Sequence, residues 1–330
     1  MPYMKAKLDN SLSSLTTPDY DWRAAGLPYY AYNFYLKNRF GGRIQKVSID
    51  AGFTCPNVDG TVAIGGCTFC DNRSFSPSRR IPRQDILDQI NYGISCIKRR
   101  YTKCKKYIAY FQPATNTYAP VERLEPLYRT ALSHPEIVGM AIGTRPDCVP
   151  DDVLALLDSI GQETFLSVEY GMQTMHDRSL EWMNRGHDHQ SMIDAMQRSD
   201  GLSFEICAHV ILGLPGESHE DMIATAREVA RLGVDSVKLH NLYAVKRTAL
   251  ADQVEAGEVE LMQRDDYVRT VVDVLELLPP HMIVERISGD APPDYFVGPE
   301  WCLNKPSVKI AIEEEFERRQ TFQGAKYQPV

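Results

Sequence analysis

Apolar positions along this chain switch repeatedly between a spacing of two and a spacing of three or four, the periods of a strand and of a helix. Lys46-Val-Ser-Ile-Asp50 alternates and carries β-branched residues, which predicts a strand. From Asp85 to about Arg100, Ile86, Leu87, Ile90, Ile94 and Ile97 fall at helical spacing, and Tyr107-Ile-Ala-Tyr-Phe-Gln112 predicts the next strand. The exchange then continues, with helix Val121 to Ser133 before strand Ile137 to Ile142 and helix Asp151 to Ser159 before strand Thr164 to Glu169. Helical stretches Met175 to Asn184 and His189 to Ser199 precede strand Glu205 to Leu212, and helix Glu220 to Leu232 precedes strand Ser236 to His240.

Six strand–helix steps imply a parallel sheet with right-handed crossovers, either an open doubly wound sheet or an incomplete barrel. Polar residues recur at the predicted strand ends (Asp50, Gln112, Thr144 and Arg145, Glu169, His240), so the chemistry is expected at the carboxyl edge. Before the alternation, residues 1 to about 28 read as a loosely held arm, and the aromatic burst Tyr29, Tyr30, Tyr32, Phe34 and Tyr35 as a short helix packed on the core. Beyond Thr248 the alternation fades. A helix from Tyr267 to Leu278, a strand from Met282 to Ile287, a loop from Ser288 to Asp294 and a helix from Val308 to Arg319 before a polar tail read as an appended layer. The expected division is 1–45, arm and aromatic helix; 46–247, core; and 248–330, a C-terminal extension packed on the core.

Composition narrows the class. With 43% hydrophobic and 24% charged residues in 330, a sizeable core is expected. The formal charge of −8 argues against a surface that coats nucleic acid, although Lys98-Arg99-Arg100 with Lys103, Lys105 and Lys106 offers either a local basic groove or a solvated helix end. No apolar run has the length of a membrane span, and Met1-Pro-Tyr-Met-Lys lacks the apolar core of a signal peptide, so a cytoplasmic location is expected. Eight scattered cysteines do not make a disulfide framework, and a reducing compartment suits thiolate ligands.

Three of those cysteines lie within sixteen residues, just past the first predicted strand: Cys55, Cys67 and Cys70. One backbone turn can aim Cys67 and Cys70 at the same metal, and Gly60, Gly65 and Gly66 let Cys55 fold back to join them. Three thiolates on a [4Fe–4S] cube leave one iron open for another ligand. A structural zinc site normally closes with a fourth Cys or His, for which Cys96 and His134 are the nearest candidates; thiols that bind nothing are the third reading.

A triple-cysteine loop after the first strand of a six-fold alternation resembles the radical S-adenosylmethionine (radical SAM) superfamily. Gly143-Thr-Arg-Pro-Asp147, Glu169-Tyr-Gly-Met-Gln173, Asn184-Arg-Gly-His-Asp188, His209-Val-Ile-Leu-Gly-Leu-Pro-Gly-Glu217 and Val237-Lys-Leu-His-Asn-Leu242 are similar to the branch with oxygen-independent coproporphyrinogen oxidase and the elongator catalytic subunit. Gly52-Phe-Thr-Cys-Pro-Asn57 and Thr144-Arg-Pro-Asp-Cys-Val-Pro150 are closer to the small bacterial YhcC-type Fe–S oxidoreductases. The resemblance covers roughly residues 40 to 320, and the cysteine spacing is longer than the commonest form. It implies a partial (β/α)6 TIM-like barrel with a C-terminal α+β extension.

It further implies a [4Fe–4S] cluster on Cys55, Cys67 and Cys70 whose open iron is chelated by SAM; reductive cleavage of SAM then yields a 5′-deoxyadenosyl radical that abstracts hydrogen from a substrate. An external electron donor such as flavodoxin or ferredoxin is implied as well. Phe69 matches the family's aromatic beside the adenine, and Gln112 stands where many relatives carry a glycine-rich turn that meets the methionine amine; here Gln112, Thr115 or Asn116 are expected to replace it. Glu169, Gln173 and Arg185 match positions facing the cofactor's ribose and carboxylate, or else form a salt-bridge network. His209 is expected to contact the cofactor or cap the sheet, and Gly213 to admit the adenine. Arg145, Lys238, His240 and Lys246 suit a carboxylate or phosphate on a substrate, and Cys148 and Cys302 are candidates to donate a hydrogen atom or are small buried hydrophobes. The expected substrate is a metabolite or cofactor precursor; the alternatives are RNA and, outside enzymes, a zinc-stabilised binding module.

Overall fold

The computed structural model describes residues 21–329, so the first part of the arm lies outside the described residues. Helix α1 (Tyr32–Phe40) leads to β1 (Ile44–Ile49), and the long cysteine loop with the short α2 (Asn72–Phe75) leads to α3 (Ile86–Arg100). Then come β2 (Lys106–Phe111), α4 (Val121–Leu132), β3 (Ile137–Thr144), α5 (Asp151–Glu163) and β4 (Phe165–Gln173). These are followed by α6 (Asp177–Trp182), α7 (His189–Arg198), β5 (Glu205–Leu212), α8 (His219–Leu232) and β6 (Ser236–Asn241). The remainder is β7 (Ala244–Val245), α9 (Ala249–Glu255), α10 (Arg264–Leu277), β8 (Ile283–Arg286), β9 (Phe296–Gly298) and α11 (Lys305–Arg319).

All six predicted strands of the alternation are present and pair in parallel, neighbour to neighbour, from β1 to β6. The sheet does not stop there: β8, from the C-terminal stretch, adds to β6 as a seventh parallel strand. Local pattern marked it as a strand but not as part of this sheet, because adjacency is a long-range property. The curled sheet is the partial TIM-like barrel with a C-terminal extension.

Apolar packing holds it on both faces, and a third apolar cluster joins Leu180, Met183, Ile211, Leu214 and Leu242. Outside the sheet, Ile49, Phe111, Ile142 and Val168 pack against Ile90, Leu124 and Leu157 of the covering helices. Inside, at the amino-terminal end, Tyr35 and Leu36 of α1 pack with Ile44, Ile108, Ala141, Phe165 and Ile283. The aromatic helix therefore plugs the bottom of the barrel. Apolar burial of this kind stabilises by roughly 25 cal/mol per Å².

The expectation of a loose arm is corrected for residues 21–28. Trp22 is buried and donates Nε1–H to Pro280 O at 3.0 Å. Gln323, in the expected polar tail, is fully buried. Its side chain accepts from Tyr30 N and donates to Pro279 O and Met282 O, while its backbone N–H donates to Pro28 O. Both terminal segments thus knit around β8.

Candidate functional site

The cysteine loop closes over the carboxyl edge, and Cys55, Cys67 and Cys70 line one cavity of about 240 Å³. The backbone N–H groups of Val58 and Asp59 donate to Cys55 O, and Cys70 N–H to Cys67 O, turning the chain at both ends of the loop. Burial, then the neighbouring Cys67 and Cys55, push the Cys70 thiol up, so the three sulfurs share one electrostatic neighbourhood.

A second segment clasps this loop. Asn57 Nδ2 donates to Asn184 O (2.6 Å), Arg185 O (2.8 Å) and Cys67 Sγ (3.4 Å). Asn184 Nδ2 returns to Gly66 O at 2.8 Å, and Thr68 binds Met183 O and Trp182 O. Gly186, at φ 71°, closes the clasp tightly: a Cβ there would sit 2.6 Å from Asn57 Oδ1. Arg185 donates Nη2–H to Gly171 O (2.9 Å), Nε–H to His187 Nε2 (3.1 Å) and Nη1–H towards Cys67 Sγ (3.5 Å). Burial, then Arg185, lowers His187 to about 4, which fits a neutral ring accepting at Nε2.

These features fit a thiolate-ligated cluster. Three sulfurs line one cavity, and two N–H donors face Cys67, the kind of contact that tunes an iron–sulfur centre. The alternative zinc ligands lie elsewhere: Cys96 Sγ accepts from Arg99 on α3, and His134 Nε2 is 3.1 Å from Asn91 Oδ1. Among the described residues, no three His, Cys, Asp or Glu side chains converge to hold a single metal ion.

Beneath the cavity lies a charged floor. β4 runs on to Gln173, so Glu169 sits within the strand rather than at its end, and its side chain is wholly buried. Glu169 pairs with Lys46 at 2.7 Å and with Lys238, and accepts from Tyr110 OH (2.6 Å) and His209 Nε2 (2.9 Å). Glu285 completes the set, 2.7 Å from Lys46 and 3.5 Å from Lys238. Burial works against the Glu169 charge, yet Lys238, Lys46 and His209 hold it well below the usual carboxylate range.

On the far wall, the His209 and His240 rings lie 5.3 Å apart between centroids, tilted by 34°, and the buried His240 Nε2 has no partner among the described residues. Burial, then Arg286, holds His240 well below its ordinary value. Tyr243, pushed up to about 12 chiefly by burial, and Arg286 complete this wall.

Of the residues expected from sequence, the cavity gathers Cys55, Cys67, Cys70, Phe69, Gln112, Arg145, Glu169, Gln173, Arg185, His209, Lys238 and His240. Four stand elsewhere. Gly213 faces Met262 in a separate groove, Lys246 is exposed, and Cys148 is buried beside Asp147. Cys302 is buried behind Asn241, whose amide donates to its sulfur at 2.8 Å.

Several contacts also differ from the expected ones. Arg145 forks onto Asp147 at 2.8 and 2.7 Å because Pro146–Cys148 forms a 3-10 turn, so its charge is already paired, and its Nη1 braces Arg185 O. Glu169 and Lys238 answer one another. After β2, the turn without glycines is made by Ala114 at φ 65°, whose N–H donates to Asn72 Oδ1 at 2.8 Å. Asn116 instead stitches β2 to β3 through Phe111 O and Gly143 O.

Sequence reading missed Lys46, Asn57, Tyr110, Glu285 and Arg286. For Lys46, Glu285 and Arg286 the available signal was a charge inside an otherwise apolar strand, but such residues ordinarily face water. The segments that follow cavity-lining Asn72 and Tyr243 carry a largely basic rim: the Arg80 and Arg247 guanidiniums are 5.7 and 5.8 Å from the Tyr295 ring centre, with exposed Lys246 nearby and Arg73 paired to Asp71 at 2.9 Å. No helix among the described residues is long and apolar enough to cross a membrane.

Residues 64–229 match the radical SAM superfamily, and residues 234–318 match the radical SAM C-terminal domain. The chain is 42% identical over 302 residues to the uncharacterized protein YtqA of Bacillus subtilis, spanning 91% of this chain and 93% of that one. It is 39% identical to protein YhcC of Escherichia coli, over 84% of this chain and 89% of that one. A shorter match, 25% identical over 47% of this chain and 29% of the other, is to the tRNA uridine(34) acetyltransferase of Methanocaldococcus jannaschii. In fold the chain is similar to Elp3 of Methanocaldococcus infernus, with a TM-score of 0.64 at 16% identity over 85% of this chain and 64% of that one.

Proposed function

The chain belongs to the radical SAM superfamily of enzymes, and on that premise we propose that Cys55, Cys67 and Cys70 hold a [4Fe–4S] cluster with one open iron for SAM. When bound, the cluster and SAM supply reductive cleavage to a 5′-deoxyadenosyl radical, which takes a hydrogen atom from a substrate. The observation that carries this reading is the clasp on the loop: Asn57 and Arg185 donate to Cys67 Sγ and Asn184 holds Gly66 O, while Cys55, Cys67 and Cys70 line one cavity.

The chain's own residues do the positioning. Phe69 shields the cluster side, and Gln112 and Gln173 offer amides to a polar ligand. The plug of α1 closes the barrel below, which keeps water from the radical's path. The reductant is an external small redox protein of the flavodoxin or ferredoxin kind. We infer a substrate of metabolite size, enclosed between the cysteine loop and the far wall.

A second substrate reading, modification of a nucleoside in RNA, is favoured by the basic rim around Tyr295, since cations beside a half-buried ring suit phosphate and base together. The short match to a tRNA-modifying enzyme supports it, and the overall charge of −8 weighs against it. Titration with tRNA at several salt concentrations separates the two, because phosphate contacts give a steep salt slope. The radical chemistry is tested by anaerobic reconstitution and assay for 5′-deoxyadenosine: wild type should release it and Cys67→Ala should not. Release by neither, with the cluster loaded in wild type, overturns the proposal.

A further inference from the structure

We propose that Arg286 anchors a negatively charged group, a carboxylate or a phosphate, on a molecule that fills the cavity; the inference rests on the cavity being the reaction site.

The β6–β8 register carries the first part of the argument. Ser236 pairs with Ile283 and Val237 with Val284, but Lys238 pairs with Arg286, leaving Glu285 as an extra residue. In a regular strand, successive side chains point to opposite faces. The bulge breaks that rule: Glu285 reaches the floor lysines, and Arg286 also lines the cavity. Bulges beside active sites commonly re-aim a side chain in this way.

Charge accounting carries the second part. The floor balances two lysines, Lys46 and Lys238, against two carboxylates, Glu169 and Glu285. Of the two arginines that the sequence offered to a ligand, Arg145 is forked onto Asp147, and the Arg185 guanidinium is held by Gly171 O, His187 Nε2 and Cys67 Sγ. Arg286 is half-buried, and its guanidinium makes no hydrogen bond or ion pair among the described residues. A guanidinium kept partly out of water without a partner is unfavourable until an anion meets it, and its planar fork matches carboxylate or phosphate oxygens in pairs.

The surroundings are built for such a group. His240, with its unpartnered Nε2, and Tyr243 stand on the same wall. Gly289 packs so closely that a Cβ there would lie 2.9 Å from the Tyr243 ring and 3.3 Å from His240 Nδ1. Gly289 N–H donates to Asn241 Oδ1 at 2.9 Å, and Asn241 is pinned to Cys302. The buried thiol thereby helps fix this wall.

Two molecules expected in the cavity carry a fitting group, SAM through its carboxylate and the substrate. The test titrates cluster-loaded wild type, Arg286→Gln and Arg286→Lys with inorganic phosphate, with acetate, with SAM and with decarboxylated SAM. Arg286→Gln should weaken at least one of phosphate, acetate or SAM by about tenfold, with partial recovery in Arg286→Lys. Loss of phosphate or acetate binding at unchanged SAM affinity assigns the site to the substrate. Loss of SAM affinity at unchanged affinity for the decarboxylated form assigns it to the cofactor's carboxylate. If Arg286→Gln, with normal circular dichroism and cluster content, binds all of them as wild type does, the anchor is refuted; should it not fold, an Arg286→Lys protein indistinguishable from one carrying Arg286→Met decides the same way. Arg286-dependent anion binding in a wild type that makes no 5′-deoxyadenosine would refute the radical reading alone.

Discussion

Arg185 reaches across to Cys67, its Nη1 3.5 Å from the sulfur, while its Nη2 holds Gly171 O at 2.9 Å. One side chain thus ties a cysteine of the loop to the fourth strand of the barrel. From the loop's side, Asn57 ties Cys67 Sγ to the segment after α6, through the carbonyls of Asn184 and Arg185.

Removing these donors should loosen the iron without emptying the ligand set. Asn57→Ala and Arg185→Met are each expected to lower cluster affinity about 10- to 100-fold, the usual effect of losing an outer contact to a metal ligand. Chelator competition followed by visible absorbance measures it. Affinity equal to wild type in both variants would remove the clasp from the account.

Glu169 sits under two lysines, so its loss leaves an uncompensated buried charge. Glu169→Gln should destabilise the fold by about 3–5 kcal/mol in urea denaturation, with part restored by adding Lys238→Met. Because Glu169 is held below its ordinary value of 4.5, its stabilisation is complete above that pH and disappears as pH falls below it. The acid slope should therefore be shallower in Glu169→Gln.

His187 gives a second pH window. Burial and Arg185 lower it from 6.5 to about 4, so the folded protein prefers the neutral ring. The unfolded chain binds the proton first, and stability is expected to fall as pH drops from 6.5 towards 4. His209 and His240 are lowered too and add to the same slope, so the readout is the difference between wild type and His187→Gln. Identical pH profiles for the two proteins would contradict the assigned contact.

Ala114 occupies the left-handed region at φ 65°, which costs a residue with a Cβ roughly 1–2 kcal/mol. Ala114→Gly should be neutral or stabilise by up to about 1 kcal/mol, whereas Ala114→Val should destabilise by about 1–3 kcal/mol. Denaturation midpoints decide, and a valine as stable as alanine would show that the turn is not constrained.

The strands and helices were legible because each buries one face, and burial writes a period into the sequence. The cysteine loop was legible as a cluster of rare residues. What escaped was set by long-range geometry: β8 joining β6, the bulge at Glu285, and Asp147 turning back on Arg145. Lys46 and Glu285 were passed over because a charge in a strand reads as facing water. In this barrel the inner face is buried and charged, so opposite charges from distant strands satisfy one another. Glu169 was placed at a strand end because Tyr170-Gly171 interrupts the apolar run, yet β4 continues to Gln173.

The most direct test of the central claim is Mössbauer spectroscopy of the reconstituted protein with and without SAM. Three thiolates on a four-iron cube leave one iron distinct, so about one quarter of the iron signal should shift when SAM is added to wild type. An unchanged spectrum, or a shift spread over all the irons, would contradict a cluster held by Cys55, Cys67 and Cys70 with one iron open to SAM.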